Sequence, residues 1–205
     1  MKVIIFDFDG TIADTLKTMI DFGKKVSVEL GYGNFNKREI EKMRDNSPKY
    51  LMKKFRVPFF KFPIFLKRYR SIFKSDISSI KMVKNMKETI LKLKKRGYKV
   101  GVITSNSNKN VSDFLVKNGI DVDFIHSDST LFGKYKVIRN FLRKNKIIPN
   151  QAVYIGDEIG DIEAAKKNSI RIISVTWGLN SKKGLEKYKP DFIIDNPNEL
   201  LKILD

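Results

Sequence analysis

Apolar positions follow two different patterns along this chain. It opens on a short unbroken run, Val3-Ile4-Ile5-Phe6. Mostly β-branched residues closed by a turn signal predict a strand buried on both faces, as in a parallel sheet. From residue 81 onward, similar runs alternate with helical spacing. Helices are expected over 83–96, stopped by Gly97, and over 110–118, stopped by Gly119, and then over 136–146 and 161–168. Strands are expected at 99–104, near Phe124, at 152–155 and at 171–175. That alternation specifies an α/β fold, a doubly wound parallel sheet with the first strand central to it.

Residues 14–79 break the rhythm. Leu16, Met19 and Ile20, then Val26 and Leu30, keep helical spacing up to a stop at Gly31 and Gly33, and 39–54 and 63–74 give further helical stretches. The spacing predicts a small α-helical domain inserted into a sheet domain made of residues 1–13 and 80–205. Phe55, Phe59, Phe60, Phe62, Phe65, Tyr69 and Phe73 fall within it, and rings at such spacing read as its packed interior, with a few facing a cleft.

Composition narrows the class. With 205 residues, 41% hydrophobic and 11% aromatic, the chain can bury one sizeable core. It has no run of eighteen or more apolar residues, and its first strand is too short and too soon acidic for a signal peptide, so a cytoplasmic protein without a membrane partner is expected. Absence of cysteine excludes disulfides, thiolate metal sites and a thiol nucleophile. The net charge of +18 would suit a polyanion, but 32 of the 41 basic residues are lysine and they are spread through nearly every segment. A nucleic-acid partner is therefore not expected; a small phosphorylated substrate, drawn by the positive field, is. A monomer or weak dimer is expected.

Candidate chemistry sits where strands end. Asp7-Phe8-Asp9-Gly10-Thr11 follows the first strand directly, so Asp7 and Asp9 share one side, Phe8 points away, and Gly10 lets the chain turn. Two carboxylates so close call for a cation or a shared proton, and a hard divalent ion suits oxygen ligands. Alone, the pair reads more readily as a capping aspartate beside a solvated one. Three further groups lie at later strand ends: Thr104-Ser105-Asn106, Phe132-Gly133-Lys134 before a helix, and Gly156-Asp157-Glu158 with Asp161 one turn on.

In that order these motifs resemble the haloacid dehalogenase superfamily, over essentially the whole chain. The insertion resembles the helical cap of its phosphoglycolate phosphatase-like branch, and the later stretch from Gly156 to Ala165 followed by Val175-Thr176-Trp177-Gly178 strengthens the resemblance to that branch. The resemblance implies a Rossmann-like core and a Mg2+-dependent phosphatase working through an aspartyl-phosphate. It implies that Asp7 is the nucleophile and that Asp9 is the acid and base. Thr104, Ser105 and Lys134 would hold the phosphate, with Gly10 and Thr11 beside it, and Asp7, Asp9 (through its carbonyl), Asp157 and Asp161 would hold the metal. Many relatives have proline after the lysine, where Tyr135 stands here.

Some placements stay open. Ser105 or Asn106 rivals Thr104 for the phosphate, Lys136 rivals Lys134, and Asp161 binds metal either directly or through water. Glu158 also reads as an exposed helix-start charge, His126 as structural, and Trp177 as packing at the sheet edge. Arg44, Asp45, Asn46 and Ser47, at a break between helical patterns, are candidate specificity contacts. A phosphomutase is the nearest enzymatic rival, and a non-catalytic binder of phosphorylated ligands or nucleic acid the rival from another class.

Overall fold

A computed structural model describes residues 2–127 and 133–204, leaving aside the side chains of Pro48 and Phe59; Phe132 lies outside the described residues. The strands β1 (Val3–Phe6), β2 (Lys99–Thr104), β3 (Phe124–Ser127), β4 (Ala152–Gly156), β5 (Arg171–Val175) and β6 (Phe192–Ile194) form one sheet in the order β3-β2-β1-β4-β5-β6. Every neighbouring pair is parallel. From β1 the chain builds outward to β3 on one side, then crosses back to β4 on the other. The carboxyl end of β1 therefore lies at the switch point, where an open parallel sheet leaves a crevice.

Strand alternation divides the core into two layers. Ile4, Phe6 and Phe8 face one layer with Val100, Val102, Val153 and Ile155, covered by α5 (Met86–Lys95), α6 (Asn108–Lys117) and α10 (Leu200–Ile203). Val3, Ile5, Ile103, Tyr154 and Ile172 face the other, covered by α7 (Lys134–Lys144) and α8 (Ile159–Lys166). The same alternation turns Asp7 toward the α7 and α8 side and leaves Phe8 in the opposite layer, as period two requires.

The inserted stretch holds α1 (Leu16–Glu29), α2 (Lys37–Arg44), α3 (Pro48–Lys54), a 3-10 turn at Phe59–Lys61, and α4 (Phe62–Asp76). The chain leaves and re-enters the sheet domain at adjacent points, where the Asp14 N–H donates to the Lys81 carbonyl at 2.9 Å. The helical stretch expected over 39–54 is two helices. The Ser47 hydroxyl accepts the Tyr50 N–H at 3.2 Å, and Pro48 starts a new helix behind it.

Two expectations need correction. The aromatics do not form one interior: Phe73 is buried in the sheet domain against Phe8 and Phe114 and Phe60 is 75% exposed, while Phe62, Phe65 and Tyr69 face a cavity over the strand ends, as expected for a few of the rings. Trp177 is not at a sheet edge, because β6 lies outside β5. Its indole N–H donates to the Thr11 carbonyl at 3.1 Å. A short helix α9 (Lys182–Glu186), β6 and α10 have no counterpart among the sequence expectations. Among the described residues no helix is long and apolar enough to cross a membrane.

Phe8 ties the strand end to this packing, with ring centroids 5.5 Å from Phe73 and 5.2 Å from Phe114. Phe8→Ala should cost about 3–5 kcal/mol in urea unfolding. A loss below about 1 kcal/mol would show that the layer collapses around the gap.

Candidate active site

The carboxyl ends of β1 and β4 and the starts of α7 and α8 bring four charged side chains together. The Asp7 backbone N–H donates to Ile155 at 2.8 Å, extending the pairing of β1 with β4 by one residue. Its Oδ1 accepts the Phe8 N–H at 2.7 Å and its Oδ2 the Lys134 ammonium at 2.8 Å. Lys134, the first residue of α7, donates equally to Asp161 Oδ1, and Asp161 Oδ2 accepts the Glu158 N–H at 3.0 Å. Asp157 accepts the Thr11 hydroxyl and the Leu179 N–H, each at 2.7 Å. Carboxylate oxygens of Asp7, Asp157 and Asp161 lie within 4.8 Å of one another, all three residues buried.

Backbone approaches Asp157 too closely for side chains. A Cβ on Gly10 would stand 2.3 Å from Asp157 Oδ2, and one on Gly178 would stand 2.2 Å from it. Gly10 also has φ +73°, the left-handed turn that glycine adopts at least cost.

Three carboxylates face one ammonium here. Burial alone would depress the Lys134 pKa, but Asp161 and Asp7 overcome it and hold it well above the ordinary lysine value. Burial, then the charges of Asp7, Glu158 and Asp161, push Asp157 well up. Burial raises Asp161 to about 6, against the pull of Lys134. All three groups offer oxygen to one point and carry negative charge beyond what Lys134 offsets. That donor set fits a hard divalent cation.

Asp9 is held apart from this cluster. Its Oδ1 accepts the Tyr69 hydroxyl of α4 and its Oδ2 the Asn106 amide, both at 2.9 Å. Burial, then the Asp7 charge, raise its carboxyl to about 6 despite these donors. Asn106 is itself clamped: its Oδ1 accepts the Ser107 N–H at 2.8 Å and the Asn110 amide at 2.9 Å. Tyr69 is the site group that sequence reasoning placed in the helical interior, and Asn106, a rival for the phosphate in sequence, holds Asp9 instead. For Tyr69, the one hydroxyl among the phenylalanines of that stripe was the available signal.

The remaining candidates sort by position. Thr104 is fully buried and its hydroxyl accepts the Asn106 N–H at 3.1 Å, keeping an O–H to give. Ser105 lines the cavity, and its carbonyl accepts the Arg70 guanidinium at 2.9 Å. Gly10 and Thr11 use their polar groups inside the loop: the Gly10 N–H donates to the Thr15 hydroxyl at 2.8 Å and the Thr11 hydroxyl to Asp157, and neither residue lines the cavity. Lys136 is exposed beside the Tyr135 ring, leaving Lys134 as the lysine among the carboxylates. Glu158 is not an exposed helix-start charge. It lines the cavity, and burial, then the acidic neighbours against Lys134, raise it to about 8.

His126 packs beside Phe124 and Phe141. Arg44, Asp45, Asn46 and Ser47 do not line this cavity. Arg44 donates to the carbonyls of Leu179 at 2.8 Å and Gly178 at 3.0 Å, Asp45 accepts the Ser181 hydroxyl, and the carbonyls of Arg44 and Asn46 accept the Asn180 amide. This segment fastens the inserted helices to the loop that also holds Asp157.

Comparison with known proteins agrees with this geometry. A family model described as haloacid dehalogenase-like hydrolase matches residues 4–175. A phosphoglycolate phosphatase of Synechococcus elongatus is 25% identical over 98% of this chain and 96% of its own length. One from Aquifex aeolicus is 28% identical over 100% of this chain and 97% of its own. The crystal structure of a predicted phosphatase from Clostridium acetobutylicum superposes with a TM-score of 0.81 at 23% identity, over 99% of this chain and 97% of that one.

Raised carboxyls carry a stability consequence. Asp9, Asp161 and Glu158 have folded values of about 6, 6 and 8, above their ordinary values of 3.8, 3.8 and 4.5. The folded chain therefore binds more protons than the unfolded one between those limits, and stability falls as pH rises through them. In metal-free buffer the urea midpoint should drop from about pH 5 to about pH 8, and Asp157→Asn should shrink the drop. A midpoint that climbs over this window would contradict the crowded-carboxylate description.

Proposed function

This chain belongs to the haloacid dehalogenase-like hydrolases and is a phosphoric monoester hydrolase of their phosphoglycolate phosphatase-like branch, and we propose that it hydrolyses a small phosphorylated metabolite with Mg2+ through an aspartyl-phosphate on Asp7. One observation carries the reading: the two aspartates of Asp7-Phe8-Asp9 open into the same cavity but are held differently. Asp7 is bonded to Lys134 within the carboxylate cluster, whereas Asp9 stands between two neutral donors with its carboxyl at about 6. A nucleophile needs to be ionised and fixed, and a general acid needs a pKa near the working pH.

Asp7, Asp157 and Asp161 would hold the metal, with the Asp9 carbonyl beside them. The ion, when bound, supplies positive charge against the phosphoryl oxygens. An oxygen of Asp7 bonds to phosphorus as the bond to the leaving oxygen breaks, and Asp9 gives its proton to that oxygen. Asp9, now a carboxylate, then takes a proton from the water that attacks phosphorus. The Asp7 bond to phosphorus breaks, phosphate leaves, and both aspartates are restored. Lys134 offsets charge on Asp7 and on the phosphate alike, as a compact point charge. The Thr104 O–H and the Ser105 N–H would donate to phosphoryl oxygens. Thr11 and Gly10 serve by shaping the loop against Asp157.

The helices of residues 14–79 serve as a cap that closes the site from water and meets the leaving group. Phosphoglycolate is the first substrate to assay, because two relatives carry that name.

Phosphate release from a metabolite panel should require Mg2+ and stop with chelator. Asp7→Asn should lower kcat by roughly 10⁴-fold or more; substantial residual turnover would remove Asp7 as nucleophile. Asp9→Asn should lose about 10²–10⁴-fold on an alkyl phosphate and clearly less on para-nitrophenyl phosphate, whose leaving group needs no proton. Equal losses on both would take the proton transfer away from Asp9.

A further inference from the structure

The cavity above Asp7 and Asp9 has a volume of about 360 Å³, within the range of roughly 300–1,000 Å³ that holds drug-sized ligands. Beside a two-carbon hydroxy acid it has room for a larger group. Its floor holds the reacting carboxylates, Lys134 and Ser105, while its roof is mostly carbon: Met19 and Phe22 from α1, and Phe62, Phe65, Leu66 and the ring of Tyr69 from α4, with Lys49 of α3 beside them. Phe22 and Tyr69 pack with centroids 5.6 Å apart and planes tilted by 59°. A third ring can join such a pair edge to face.

The apolar space continues beyond that roof. Met19, Phe22, Phe62 and Phe65 also wall a second cavity of about 350 Å³ among the inserted helices, lined chiefly by aliphatic and aromatic side chains. Met19 is unbranched and adapts its shape readily, so the partition between the two spaces can yield to a bulky group.

Charge in the lining points the same way. Outside the reacting groups and Lys134, the lining holds Lys49, Lys167, Glu158 and Glu163, and no arginine lies among the described lining residues. Lys167 stands 5.2 Å from the centre of the Tyr135 ring. A second carboxylate on the leaving group would find no guanidinium fork to take it.

Resting on the phosphatase reading above, we propose that the leaving group of the natural substrate is an alcohol bearing an apolar group of ring size, aromatic by preference, which packs against Phe22, Phe65 and Tyr69 while its phosphate lies over Asp7. The leaving oxygen then comes to Asp9, where the Tyr69 hydroxyl now stands 2.9 Å from Oδ1. The ring fills the space beneath the α1 and α4 side chains.

The test compares kcat/KM for 2-phenylethyl phosphate, ethyl phosphate and phosphoglycolate. The first two leave as alcohols of similar basicity, so their ratio reads burial of the ring. Phenylethyl phosphate should exceed ethyl phosphate by about tenfold to a hundredfold, and phosphoglycolate by at least tenfold. Phe65→Ala should bring the phenylethyl-to-ethyl ratio down toward one, and Phe65→Leu, a milder change to the fold, should lower it partway. Equal values for the two esters, a preference for phosphoglycolate, or a ratio unmoved in both folded variants would overturn the substrate class and leave the phosphatase reading standing. Failure of all three esters and of the metabolite panel would overturn both.

Discussion

One lysine among buried carboxylates governs this molecule. Lys134 reaches Asp7 from β1 and Asp161 from α8 at once, and so ties three elements at the mouth of the sheet. Its single positive charge is insufficient for Asp7, Asp157 and Asp161 together. The protein compensates with fixed donors, namely the Phe8, Glu158 and Leu179 amides and the Thr11 hydroxyl. Removing one member of such a set would leave a buried charge uncompensated, which costs more than an intact pair contributes. The residual negative potential makes the cluster receptive to a divalent cation and, through it, to phosphate.

Around that centre, the inserted helices are joined to the sheet domain through groups that also set the site. Tyr69 bonds Asp9, its neighbour Arg70 bonds the Ser105 carbonyl, and Arg44 bonds the loop whose Leu179 amide holds Asp157. Asn180 extends this link, its amide on the α2–α3 junction and its Oδ1 accepting the Ile159 N–H at the start of α8 at 2.8 Å. Any movement of the helices over the cavity would therefore pass directly to Asp9 and to Asp157.

The sheet and the acidic residues at its mouth are legible in sequence for a simple reason. Strands buried on both faces must be continuous apolar runs, and the residue that ends such a run falls at the ligand-binding edge, which places Asp7, Thr104 and Asp157. The three residues of β6 are too few to show a period, and α9 and α10, of five and four residues, are likewise too short. Tyr69 is hidden for a different reason: helical spacing places it on a face but cannot say whether that face meets other helices or a cavity. Arg44 and Asn180 lie 136 residues apart and meet only in the folded chain. Gly10 and Thr11 are legible as a turn, but that the turn packs against Asp157 depends on a contact 146 residues distant.

The division of labour between the two leading aspartates is tested most directly by trapping the covalent intermediate. Wild-type protein turning over a phosphate ester with Mg2+ is quenched with borohydride, which reduces an acyl-phosphate to an alcohol, and the peptide carrying both aspartates is sequenced by mass spectrometry. Reduction at position 7 alone, absent without substrate, is the expected result. Reduction at position 9, or none at any carboxylate during steady turnover, would contradict the assignment of Asp7 as the attacking group.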